Sequence, residues 1–114
     1  MPDDCLFCRI AAHEIPSSTV YEDDLIIAFR DIAPQAPFHI LIVPKQHIGS
    51  ATELTGQHAE LLAAVFSAAA RLCAEEKLDN GYRVVTNVGP DGGQSVAHLH
   101  FHVLGGRSLA WPPG

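Results

Sequence analysis

Apolar and polar positions cut this chain into short strand-like runs on either side of one long helical period. "STVYE" and "LIIAFRDI" are two β-rich runs joined by an acidic turn at Asp23–Asp24, and "FHILIVP" is a third, closed by Pro44. Between the second and third, "APQAP" interrupts the pattern with Pro34 and Pro37. Upstream, Asp4 is placed to cap a short helix through "CLFCRIAAHE" that Pro16 ends. From about Thr55 to Leu78 the period changes. Leu61, Leu62, Val65, Phe66, Ala69, Leu72 and Cys73 recur at spacings of one, three and four, which predicts a long amphipathic helix stopped by Asn80–Gly81. "YRVVTNV" is a fourth strand, "GPDGGQ" a turn, "HLHFHVL" a fifth strand ended by Gly105–Gly106, and "LAWPPG" an irregular tail.

Early strands without intervening helices, then one long helix and two more strands, predict an α+β domain with an antiparallel sheet. The long helix would cover one face and leave the other open for a site or a partner. At 114 residues, with no repeats or linkers, the chain reads as a single domain spanning 1–114.

Charge narrows the function. Seven basic against thirteen acidic residues give a formal charge of −6, without the basic footprint of a nucleic-acid binder. A bound phosphate would therefore be held locally, by imidazoles, backbone N–H groups or one or two cations. The opening "MPDDCLFCRI" lacks the basic-then-apolar order of a signal peptide, and the alanine-rich apolar window is interrupted by Glu60 and Arg71, unlike a membrane span. With three cysteines, this points to a reducing, cytoplasmic setting.

The chemistry concentrates in "QSVAHLHFHVLGGR". His98, His100 and His102 alternate with Leu99, Phe101 and Val103. On a strand, residues two apart share a face at a spacing of roughly 6.6 Å, so the imidazoles would form a row opposite the apolar side chains. The adjacent "GPDGGQS" can aim successive backbone N–H groups into an anion-binding concavity. One imidazole nitrogen can attack while the other holds a proton toward an acceptor, and a cationic neighbour could stabilise phosphoryl oxygens or protonate a leaving group. Metal ligation by all three fits less well, since the outer two would lie about 13 Å apart.

"HLHFHVL", together with "DIAPQAPFHILIVPKQHI", "NVGPDGGQSVAHLHFHVLGGR" and the terminal "WPPG", resembles the histidine triad family over essentially the whole chain, and within it the Hint branch of purine nucleoside phosphoramidases. The resemblance implies a five-stranded antiparallel sheet with one long and one short helix, paired as a two-fold homodimer. It makes His100 the nucleophile toward the α-phosphorus of a nucleoside phosphoramidate, with a nucleotidyl-histidine intermediate and no metal in the chemistry. It places His98 and His102 around that nucleophile and Ser95 near the leaving group. Asn87, Gly93 and Gln94 would line the phosphate and ribose side, and Asp31 would accept from the ribose hydroxyls. Phe7, Ile10, Phe29 and Ile32 would enclose the base. Trp111 becomes a candidate for leaving-group selectivity.

"CLFC" alone leaves Cys5 and Cys8 open between half a zinc site, a redox pair and two buried thiols. The resemblance adds His47 and His98, completing a structural zinc shell that would pin the first helix to the histidine strand. In that case His98 could not also be a free proton donor. Cys73 is expected to be a buried thiol, and His13, His39 and His58 structural or solvent-facing.

Overall fold

The computed structural model describes residues 4–114. In chain order it contains α1 (Leu6–Ala11), β1 (Thr19–Glu22), β2 (Ile26–Arg30), β3 (Phe38–Pro44), α2 (Ala59–Glu75), β4 (Tyr82–Val85), α3 (Gly89–Gly92) and β5 (Phe101–Gly105). The strands form one antiparallel sheet in the order β1-β2-β3-β5-β4. The chain leaves β3, crosses the sheet through α2 and lays β4 at the edge. β5 then returns into the slot between them.

Alternation places Ile26, Ala28, Ile40, Ile42, Phe101 and Val103 against Leu61, Val65, Ala69 and Leu72 of α2. The opposite face is not open, as the sequence suggested. α1 covers part of it, packing Phe7, Cys8 and Ile10 on Ile27, Phe29, Leu41 and Val43. With both faces covered, β3 is buried along its whole length.

β5 is shorter than "HLHFHVL". Ile42 pairs with Phe101, so the next ladder positions fall at Val43 and Pro44. Pro44 has no N–H to donate, and its carbonyl accepts instead from the His98 ring at 2.8 Å. The ladder stops there. His98–His100 form an irregular lead-in, bent at His98 and held by Leu99 N–H donating to the Ile48 carbonyl at 2.6 Å.

Both main helices end earlier than their downstream breakers. α1 is capped by the Cys5 thiol, which accepts from Cys8 N–H at 3.4 Å, so Asp4 is not the cap. α1 closes when His13 turns left-handed at φ 62°, with Glu14 N–H reaching back to Arg9. α2 is entered through a 3₁₀ turn at Gly56–His58, capped reciprocally by Thr55 and His58. It ends when Lys77 adopts φ 60°, with Lys77 N–H on Ala74 and Leu78 N–H on Cys73. Both ends are Schellman closures without the usual glycine.

Replacing Lys77 by glycine removes the left-handed cost while keeping the closure. We expect Lys77→Gly to stabilise the fold by about 0.5–1 kcal/mol, a rise of roughly 3–5 °C in Tm. An unchanged or lower Tm in a thermal melt would refute this account of the α2 terminus.

A candidate active site beside a metal-ligand cluster

The lead-in to β5 brings His98 and His100 beneath α1, while His102 lies within the strand. His100 is 3 % exposed. Its Nδ1 sits 2.7 Å from the His98 carbonyl oxygen. A carbonyl only accepts, so Nδ1 carries the proton and Nε2 keeps its lone pair. The Phe7 ring meets the imidazole edge-on at 5.0 Å between centroids, and His102 lies 5.2 Å away on the same measure. Hydrogen bond and packing together fix one tautomer and one orientation, the preparation a nitrogen nucleophile requires.

The His98 side chain does something else. Its Nε2–H donates to Pro44, which turns a bare Nδ1 toward the thiols. Cys5 Sγ to His98 Nδ1 is 3.3 Å, Cys8 Sγ to His47 Nδ1 is 3.1 Å, and Cys8 Sγ to His98 Nδ1 is 3.5 Å. All four donor atoms lie within 4.8 Å of one another. A tetrahedral zinc shell with bonds of about 2.0–2.3 Å sets its donors roughly 3.3–3.8 Å apart, so these residues fit. The Pro44 carbonyl supplies the outer hydrogen bond typical of a metal-bound imidazole. Such a closed four-ligand set could hold a structural zinc ion. The competition expected for His98 is resolved by division: its ring serves the cluster and its carbonyl orients His100.

A second group of titratable side chains lies on the same sheet face. His39 Nε2 is 2.9 Å from His102 Nδ1 and 3.4 Å from Asp31 Oδ2, which is 3.9 Å from His102 Nδ1. Asp31 Oδ1 accepts from Ala33 N–H at 2.8 Å. Burial, reinforced by His100 and His39, pushes His102 down to about 4. Burial also lowers His39, with Asp31 opposing the shift. The cationic neighbour expected of the row is therefore neutral in the free protein. His39 was expected to be structural or solvent-facing, but it is buried in contact with His102. It sits among apolar residues in "FHILIVP", and only the β3–β5 pairing puts it on the histidine face.

The other candidate residues divide. Phe7, Ile10 and Phe29 are buried in one cluster between α1 and the sheet, whereas Ile32 is 100 % exposed and stands apart from them. The Gln94 amide is fully engaged: Oε1 accepts from Gly89 N–H, and Nε2 donates to the Gly49 and Val96 carbonyls. It staples the turn and does not point free. Gly93 ends α3 at φ 82°, where a side chain would be strained. Ser95 is exposed and Asn87 half-buried. Arg83 donates to the Ala110 carbonyl at 3.0 Å and ties down the tail, while Trp111 remains 81 % exposed. Cys73 is buried on α2, and His58 is the capping partner of Thr55. His13 is exposed and paired with Glu22 at 2.8 Å.

An oriented buried imidazole on an antiparallel α+β sheet, next to a Cys₂His₂ cluster, defines a small histidine-centred domain of the triad type. The HIT domain model matches residues 12–109, and this chain belongs to that family. A 14 kDa zinc-binding protein of Brassica juncea is 47% identical over 117 residues, covering 97% of this chain and 100% of that protein. A HIT family hydrolase from Legionella pneumophila superposes with TM-score 0.95 at 52% identity, over 97% of this chain and 100% of that one. A histidine triad nucleotide-binding protein from Candida albicans does so with TM-score 0.81 at 32% identity, over 96% and 83%. No helix among the described residues is long and apolar enough to cross a membrane.

Burial, with the Cys5 thiol beside it, pushes the Cys8 thiol up to about 11, so Cys8 holds its proton at neutral pH until a cation displaces it. Apparent zinc affinity should therefore rise as pH is raised from about 6 to 8, read by competition with a chromophoric chelator. A pH-independent affinity, or unchanged affinity in Cys8→Ser, would rule out thiolate ligation.

Proposed function

We propose that this protein is a nucleotide-binding hydrolase that cleaves P–N bonds of purine nucleoside phosphoramidates through a nucleotidyl-histidine. The observation that carries the reading is the His100 Nδ1–H bond to the His98 carbonyl, which in the neutral ring leaves Nε2 as a fixed nitrogen with its lone pair free. In the first step Nε2 attacks the α-phosphorus, a new N–P bond forms, and the P–N bond to the leaving amine breaks with a proton delivered to that amine. In the second step water attacks the same phosphorus and returns His100, releasing a nucleoside monophosphate. An amine leaves poorly unless protonated, so proton delivery governs the first step.

The neighbouring residues support these roles. Ser95 is exposed at the start of the lead-in, where it can hydrogen-bond a leaving group. Asp31 is half-buried beside the exposed Ile32 and can accept from ribose hydroxyls. The floor of Phe7, Ile10 and Phe29 suits a planar base, Asn87 and Gly93 would border the phosphate, and Trp111 would bear on the choice of amine. Zinc at Cys5, Cys8, His47 and His98 would be structural. Homodimer formation is supported by the open outer edge of β4 and by an uncharged exposed stripe on α2 (Ala63, Phe66, Ser67, Ala70). Sedimentation at the mass of one chain would refute it. The net negative charge and the compact reducing-type composition fit a cytoplasmic protein without nucleic-acid or membrane partners.

Turnover of adenosine phosphoramidate is expected to exceed that of diadenosine polyphosphate. His100→Ala should lower it by at least about a thousandfold while AMP still binds. Preference for the polyphosphate would move the protein to a different hydrolase branch. Nucleotide binding without turnover of either would make it a regulatory binding protein.

A further inference from the structure

Cys5 and Cys8 stand at the start of α1, and the cluster they share with His47 and His98 is supported unevenly. Cys5 is the N-cap, its sulfur accepting from Cys8 N–H at 3.4 Å. His98 is fully buried, with its Nε2–H fixed by the Pro44 carbonyl. His47 differs. Its Nδ1 faces Cys8 Sγ at 3.1 Å, but the residue is half-buried and its Nε2 has no hydrogen-bond partner among the described residues. A ligating imidazole without an outer hydrogen bond is less firmly oriented than one that has it. The cluster thus has one weak side, at His47, and Cys8 lies against it.

The two sulfurs are also placed as a pair. All four donor atoms of the cluster lie within 4.8 Å of one another. Positions three apart on a helix have Cα atoms roughly 5 Å apart, inside the span of a disulfide. Turning the two side chains toward each other can therefore join the sulfurs without unwinding the backbone. Cys73 cannot take part, being buried beneath α2 in the core of the opposite sheet face.

From this we propose that Cys5 and Cys8 are a reversible thiol-oxidation site, at which a peroxide joins the sulfurs and releases the zinc ion the cluster would hold. One thiolate attacks a peroxide oxygen, the O–O bond breaks, and a sulfenic acid forms with loss of hydroxide. The second thiolate attacks that sulfur, an S–S bond forms and a second hydroxide leaves. Two protons from solvent turn the hydroxides into water. The sulfurs supply both electrons, since zinc has no redox chemistry of its own. His47 and His98 alone no longer make a closed shell. The change reaches His100 through α1, because the helix loses the thiol that caps it and Phe7 packs on the His100 ring at 5.0 Å.

The oxidation site stands on the cluster alone, and only its effect on turnover rests on the reaction proposed above. The test treats the zinc-loaded full chain with hydrogen peroxide in the presence of a chromophoric chelator. We expect one zinc ion released per chain and two of the three thiols lost. Trypsin separates the sites, since Cys5 and Cys8 fall in the peptide ending at Arg9 and Cys73 in the peptide 72–77. The first should lose about 2 Da and the second stay reduced. Dithiothreitol with fresh zinc should restore metal and thiols, and Cys73→Ala should behave as the wild type. Zinc retained in excess peroxide, a disulfide made by Cys73, or irreversible oxygen addition at Cys5 and Cys8 would overturn the proposal. So would failure of the reduced chain to take up zinc. With adenosine phosphoramidate, kcat should fall several-fold on oxidation and recover on reduction, and an unchanged kcat would refute the reach to His100. Reversible zinc release in a chain that turns over no phosphoramidate would sustain the oxidation site and refute the proposed reaction instead.

Discussion

His98 has no solvent exposure, and each of its side-chain nitrogens and its carbonyl oxygen is engaged. One ring nitrogen donates to Pro44, the other faces two thiols, and the carbonyl accepts from His100. An imidazole buried without partners would cost about 1–3 kcal/mol for each unsatisfied group. Satisfying all of them draws the end of β3, the start of α1 and the lead-in to β5 to one point. Because ring and carbonyl belong to one residue, the Cys₂His₂ cluster and the His100 imidazole cannot be positioned separately.

That convergence compensates for a weak element. α1 has six residues, far below the length at which a helix holds itself together in water. Cys5 caps it and Cys8 lies within it, both against His98, and Phe7 and Ile10 are buried on the sheet, so its docking rests on thiol–imidazole contacts and apolar burial together. α2 needs no such aid. Its seventeen residues bury a continuous stripe on the sheet. The face with the larger apolar core is covered by the self-sufficient helix, and the face that carries the histidines by the dependent one.

Much of this was legible in the chain. The alternation of "HLHFHVL" correctly separated Leu99, Phe101 and Val103 from the histidines, and the α2 period marked its buried side chains. What sequence pattern missed has a common cause. Downstream breakers such as Pro16 and Gly81 bound a helix, but the residues that end α1 and α2 are His13 and Lys77, whose left-handed backbones carry no compositional mark. Pro44 showed where β3 closes, yet not that its free carbonyl would capture His98 and cut β5 short. His39 was hidden because β3 and β5 are neighbours only after β4 has been laid outside them, a crossover that local periodicity does not encode.

The electrostatics of the site follow from burial more than from charge. In a chain of net charge −6, the two imidazoles flanking His100 do not add positive charge in the free protein. A cationic His102 would place a positive charge beside the His100 ring, 5.2 Å away between centroids. Burial prevents this by holding His102 down to about 4. A proton added at His102 Nδ1 would also face His39 Nε2 2.9 Å away, whose other nitrogen already accepts from Gln35 N–H, so geometry and burial act in the same direction.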